Sequence, residues 1–151
     1  MRSLFSLLLF FPFVVNAADR LQGSWHSDLA ESKRFYEAHS LLEPRQSDFL
    51  NGVLGHLQID ISDGRLLYTM PNLDVQIQGK SAHFVGEHVS CEYQLLGADQ
   101  DSVVILVKND HGKDRIWHLH FVTEDLFWIY SEDANYGLRD LNFREYFRRA
   151  K

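Results

Sequence analysis

The stretch Lys113–Ser131, KDRIWHLHFVTEDLFWIYS, narrows the choice of fold more than any other part of the chain. It predicts two strands, Arg115–Val122 and Leu126–Tyr130, joined at Thr123-Glu124-Asp125. Trp117, Leu119 and Phe121 alternate with Ile116, His118 and His120, the period of two that sends successive side chains to opposite faces of a strand. In the partner, Leu126, Trp128 and Tyr130 alternate with Phe127 and Ile129, so both of its faces are apolar. A hairpin this rich in aromatic residues belongs in the core of a β-structure. It specifies an architecture and no chemistry.

The N-terminal residues MRSLFSLLLFFPFVVNAADR have the make-up of a secretory signal peptide: Arg2 at the start, an apolar run over Leu4–Val15, and Val15-Asn16-Ala17 as a small-residue cleavage site. The run is too short and too near the terminus for a good spanning helix. The expectation is that residues 1–17 are removed and that 18–151 form one domain, large enough to bury its own core. Loss of Arg2 and of no acid takes the formal charge from −6 to −7. A chain so acidic is a poor partner for nucleic acid or anionic membranes. Cys91 is the single cysteine, which rules out an intrachain disulfide. It shares a face with Val89, Tyr93 and Leu95, which predicts a buried, inert thiol. An exported domain that relies on its apolar core alone fits the bacterial periplasm.

Taken in order, Leu21–His26 reads as a first strand, with Gly23 placed to let a neighbouring side chain approach the backbone. Asp28 and Glu31 have capping-box spacing, and Leu29, Phe35/Tyr36, Ala38 and Leu42 recur at helical spacing. Pro44 opens a second short helix, Pro44–Leu50, that Asn51-Gly52 would end. From Leu54 onward the pattern is β. Leu57, Ile59 and Ile61 lead to a two-residue turn at Asp63-Gly64. Leu66–Met70 follows, then Leu73, Val75 and Ile77 up to a turn at Gly79-Lys80, a short Ala82–Val85, the alternating run Val89–Leu95, and Val103–Val107. Asn109–Lys113 turns into the aromatic hairpin. The tail Leu138–Arg149 fits a helix through Leu138, Leu141 and Glu145, or a strand in which Phe143, Glu145 and Phe147 oppose Arg144, Tyr146 and Arg148. The strand is preferred, because a closing barrel needs a last strand beside its first. The expected fold is mainly β: one antiparallel meander barrel of about eight to ten strands, with a helical pair inserted after the first strand.

Three features resemble the calycin superfamily, the lipocalins and fatty-acid-binding proteins, and with them bacterial lipocalin-like domains. Gly23-Ser24-Trp25 matches the G-x-W of the first strand. The helical pair after that strand resembles the lid of the fatty-acid-binding branch, and Arg144-Glu145-Tyr146 resembles its C-terminal R-x-Y. The resemblance implies a ligand-holding barrel in which Trp25, Arg144 and Tyr146 contribute to the site. Arg144 then either meets a ligand carboxylate or stacks on Trp25 and closes the barrel end, as an arginine does in lipocalins.

Other chemistry is less favoured. His118-x-His120 places two imidazoles on one strand face about 7 Å apart, a spacing that can share a metal with a third ligand, or simply form an outward polar face. No G-x-S-x-G, H-E-x-x-H or phosphate-cradling glycine loop occurs. The acid pairs Glu124-Asp125 and Glu132-Asp133 fall in turns. Catalysis, a cofactor and a metal are therefore not expected. The first reading is an exported barrel for a small apolar or amphipathic ligand. The alternatives are a structural or protein-interaction barrel filled by its own side chains, and metal capture through His118 and His120.

Overall fold

A computed structural model describes residues 17–108, 113–130 and 143–151. The expected signal peptide, the turn at 109–112, the pair Glu132-Asp133 and the tail residues 138–142 lie outside the described residues. A five-residue helix, α1 (Ala17–Leu21), leads into β1 (Gly23–Ser27). The pair α2 (Leu29–His39) and α3 (Pro44–Val53) follows, then β2 (Gln58–Ser62), β3 (Arg65–Met70), β4 (Leu73–Ile77), β5 (Lys80–Phe84), β6 (Glu87–Ala98) and β7 (Ser102–Lys108). The aromatic hairpin supplies β8 (Arg115–Thr123) and β9 (Leu126–Tyr130), and the tail is the strand β10 (Arg144–Arg149).

Eight strands close an antiparallel barrel in the order β1-β10-β9-β8-β7-β6-β3-β2. The closing contact pairs Trp25 with Arg149 and Ser27 with Phe147. The barrel fills from alternate positions: Trp25, Ile59, Ile61, Leu66, Cys91, Val103, Ile105, Leu119, Phe121, Phe127 and Phe147 form one buried cluster. Asp63 and Gly64 both take positive φ, 45° and 77°, so the β2–β3 turn has the twist a two-residue hairpin needs.

The remaining two strands leave the barrel. β4 and β5 pair only with each other, through a turn at Gln78-Gly79 (φ 50° and 75°), one residue earlier than expected. This hairpin packs on the helical pair. Tyr36, Phe49, Leu50, Val53, Leu54, Val75 and Phe143 form a second buried cluster, against which Leu42, Met70, Leu73, Ile77 and Phe84 pack. β1 and β3 end, and β2, β6 and β10 begin, at the same rim of the barrel, so this second core sits over that rim.

Two helix boundaries differ from expectation for physical reasons. α3 runs through Asn51-Gly52 to Val53. Gly52 is there because the hairpin lies on it: a Cβ would stand 2.2 Å from Val75 Cγ1. Leu21 is the end of α1 and not the start of a strand. Gly23, at φ 120°, bends the chain so that Leu21 drops into the barrel end, fully buried, where its carbonyl accepts from Trp25 Nε1 at 2.9 Å. The cap of α2 is as expected, with Asp28 Oδ1 accepting from Glu31 N at 3.1 Å. The Asp28 N–H donates to Tyr146 O at 2.7 Å, which leaves the Glu31 carboxylate to pair with Arg34.

Candidate functional site

Burial inside the barrel is uneven. Leu21, Trp25, Leu66 and Phe127 are fully buried while Tyr93, near α1, is half-buried, and Trp25 makes edge contacts with Phe127 and Phe121 at 4.7 and 6.1 Å. Towards the other rim the inward-facing Leu57, Tyr68, Val89, Trp117, Ile129 and Glu145 are only half-buried. Leu57, Tyr68, Val89, Trp117 and Ile129 pack against the buried cluster and keep part of their surface accessible, so this part of the interior is mostly apolar.

The polar groups of this part of the interior are few. Ser27, 6% exposed, donates its hydroxyl to Glu145 Oε1 at 2.7 Å and accepts from Gly55 N at 2.9 Å. Glu145 alternates with Phe147 and lies opposite Ile129, which fixes it on the inner face. Its carboxyl is buried, while the residue as a whole keeps part of its surface accessible. That burial pushes its pKa up from 4.5 to about 7, the Ser27 hydroxyl opposing the shift. Nearer the rim, Tyr68 donates to Glu87 Oε2 at 3.2 Å. Burial and the Glu87 charge push the Tyr68 hydroxyl up to about 12, so it remains a donor.

Of the residues expected to bind ligand, Trp25 is fully buried in the closed end, and Arg144 and Tyr146 share the outer face of β10. Arg144 does not stack on Trp25. Arg149 does, with its guanidinium carbon 4.1 Å from the ring centre. Arg149 Nε donates to Asp125 Oδ1 at 3.0 Å, and Nη2 to the carbonyls of Arg20 and Glu124 at 2.9 and 3.2 Å. Nη1 donates to Gln22 O and passes so close to Gly23 that a Cβ there would stand 2.9 Å from it. Gly23 thus admits a neighbouring side chain, as its position in the strand led us to expect. Asp125 is an anchor for Arg149 as well as a turn residue.

The outer wall over β8, β9, β10 and α2 carries a continuous stack. His118 and His120 are 3.8 Å apart by ring centres, His120 lies flat on Trp128 at 3.9 Å, and Arg144 covers Trp128 at 3.9 Å and Phe35 at 4.4 Å. Among the described residues Arg144 Nε has no hydrogen-bond partner, its contacts being ring faces. Burial first, then His118 and Arg144, hold the His120 pKa below its ordinary value. Among the described residues no three His, Cys, Asp or Glu side chains gather where they could hold a metal, and no helix is long and apolar enough to cross a membrane.

A shallow depression of about 380 Å³, lined by His26, Ser27, Leu29, Leu54, His56 and Arg148 among others, opens at the end of β1. Ser27, the partner of Glu145, and Gly55 are part of its lining. Comparison with protein-family models, with curated proteins and with solved structures finds no match.

Proposed function

We propose that this chain is an exported, calycin-like barrel that holds a small apolar or amphipathic molecule in its upper lumen, and that it binds without catalysis. The observation that supports the reading is that the inward-facing Trp117, Ile129, Tyr68 and Val89 keep accessible surface beside the fully buried Ile59, Leu66 and Ile105. A mostly apolar concavity with a few converging polar groups is the usual form of a small-molecule site. The helical pair and the β4–β5 hairpin cover the rim through which such a molecule passes.

The test is uptake of a fluorescent apolar probe, followed through energy transfer from Trp117. Val89→Trp fills the lumen and is expected to weaken binding by about tenfold or more, whereas Ile116→Trp, on the outer wall, leaves it unchanged. Equal binding by both variants places the probe outside the lumen and defeats the reading. A second reading, a protein-interaction barrel, has its own support in the outer wall, where Ile116, Val122 and Tyr130 are 67%, 56% and 47% exposed beside the His120–Trp128–Arg144 stack. It gains if no apolar probe enters.

A further inference from the structure

We infer that Glu145 is the head-group receptor of the lumen, and that it selects apolar ligands ending in a cation or a hydrogen-bond donor over ligands ending in a carboxylate. The inference rests on the lumen-binding reading above and adds the chemistry of the ligand to it. The R-x-Y resemblance implied an Arg144 that either meets a ligand carboxylate or stacks on Trp25. The strand parity is the reverse: Arg144 and Tyr146 point outward, and the residue between them points in.

The hydrogen bonds around Glu145 decide which atom faces a ligand. The Ser27 hydroxyl has one proton, and it goes to Oε1, since Ser27 Oγ already accepts from Gly55 N. Oε2 has no donor among the described residues. That oxygen is the acceptor left to a ligand, and a ligand N–H or O–H would bond to it beside the Ser27–Oε1 contact. An ammonium group adds a charge-assisted bond where water is scarce. A ligand carboxylate meets the opposite situation, a like charge at close range in a poorly solvated space. Arg115, on the inner face of β8, is exposed at the rim and faces Tyr68, which is bonded to Glu87; that places an acid near this cation.

Three probes with a common chain, dodecylamine, dodecanol and dodecanoate, separate these cases when each competes, below its micelle concentration and at pH 8, with the apolar fluorophore. The expected result is displacement by dodecylamine at about one tenth of the dodecanoate concentration or less, with dodecanol between them. Glu145→Gln brings the amine and the carboxylate to within about threefold of each other. Asp60→Asn removes an acid from the outer wall and leaves the preference as in the wild type. Glu145 itself reports independently of any variant: the carboxyl ¹³C shift should show its pKa lowered by dodecylamine. Equal displacement by amine and carboxylate in the wild type overturns the inference while the lumen reading stands. So does an amine preference that survives Glu145→Gln, which would assign it to general surface charge. Failure of all three probes and of the fluorophore to enter removes the lumen reading, and this inference with it.

Discussion

The guanidinium of Arg149 lies 4.1 Å from the centre of the Trp25 indole, and the two residues are paired across the seam where the last strand meets the first. The contact joins the chain's end to its beginning. Arg149 also holds the carbonyls of Arg20 and Gln22, so α1 is fastened to the barrel end by a residue two positions from the C-terminus. A guanidinium suits the task because it is flat on the ring while its edge donates in several directions.

Arg149→Ala should therefore destabilise the protein by about 2–4 kcal/mol in urea unfolding, and Arg149→Lys should recover little of it. Gly23→Ala should cost about 1–3 kcal/mol, from its φ of 120° and from the Arg149 contact. In the Arg149→Ala background only the backbone part of the Gly23→Ala penalty should remain. Full additivity of the two changes would mean that the side chains do not meet.

Gly52→Ala gives a prediction of opposite sign to the usual helix rule. Alanine normally stabilises a helix interior by about 1 kcal/mol relative to glycine. Here the new methyl enters the space of Val75, and the expected outcome is a loss of about 1–3 kcal/mol. Val75→Ala should cost less in the Gly52→Ala protein than in the wild type. Stabilisation by Gly52→Ala alone would show that β4–β5 does not rest on α3.

Why some of this was legible and some was not follows from the range of the interactions. Asp63-Gly64, the Asp28 cap and the Arg115–Tyr130 hairpin are set by neighbours a few residues apart, and they stand in the structure as read. The alternation Leu73, Val75, Ile77 specifies a buried face but not what buries it, so a strand against α3 reads the same as a strand of the barrel wall. Arg149 makes side-chain bonds to residues 24 to 129 positions away, and nothing local distinguishes it from a frayed terminal arginine. Glu145 was recoverable. Phe143 and Phe147 mark the inner parity of the tail, and Glu145 lies between them, but the three-residue motif drew attention to the outer parity.

The outer stack predicts a histidine that resists protonation. His120 takes up its proton below the ordinary 6.5 in the folded protein, because it is partly buried and faces His118 and Arg144. The unfolded chain binds that proton first as pH falls below 6.5, so this site loses stability on acidification through that window. Arg144→Ala should move the His120 midpoint upward in a proton NMR titration and lower stability at neutral pH by about 1 kcal/mol through loss of the contacts to Trp128 and Phe35. An unchanged midpoint would remove Arg144 from the environment of His120.

Glu145 has the reverse dependence, and a single substitution isolates it. Its carboxyl is held at about 7 in the folded barrel against an ordinary 4.5. Between those two values the folded state keeps a proton that the unfolded state has released. Stability therefore falls as pH rises across the window, and the full penalty is present above it. Glutamine keeps the acceptor for the Ser27 hydroxyl and cannot ionise. Glu145→Gln should thus be more stable than the wild type at pH 8 by about 1–3 kcal/mol, allowing for the partial exposure of the residue, and the gain should shrink to nothing by about pH 4.5. Urea unfolding of both proteins across pH 4–9 measures it, and the difference curve cancels the opposing slope of His120. Parallel curves at all pH values would mean that the folded protein solvates the carboxylate as well as bulk water does, and that Glu145 ionises without hindrance from the barrel.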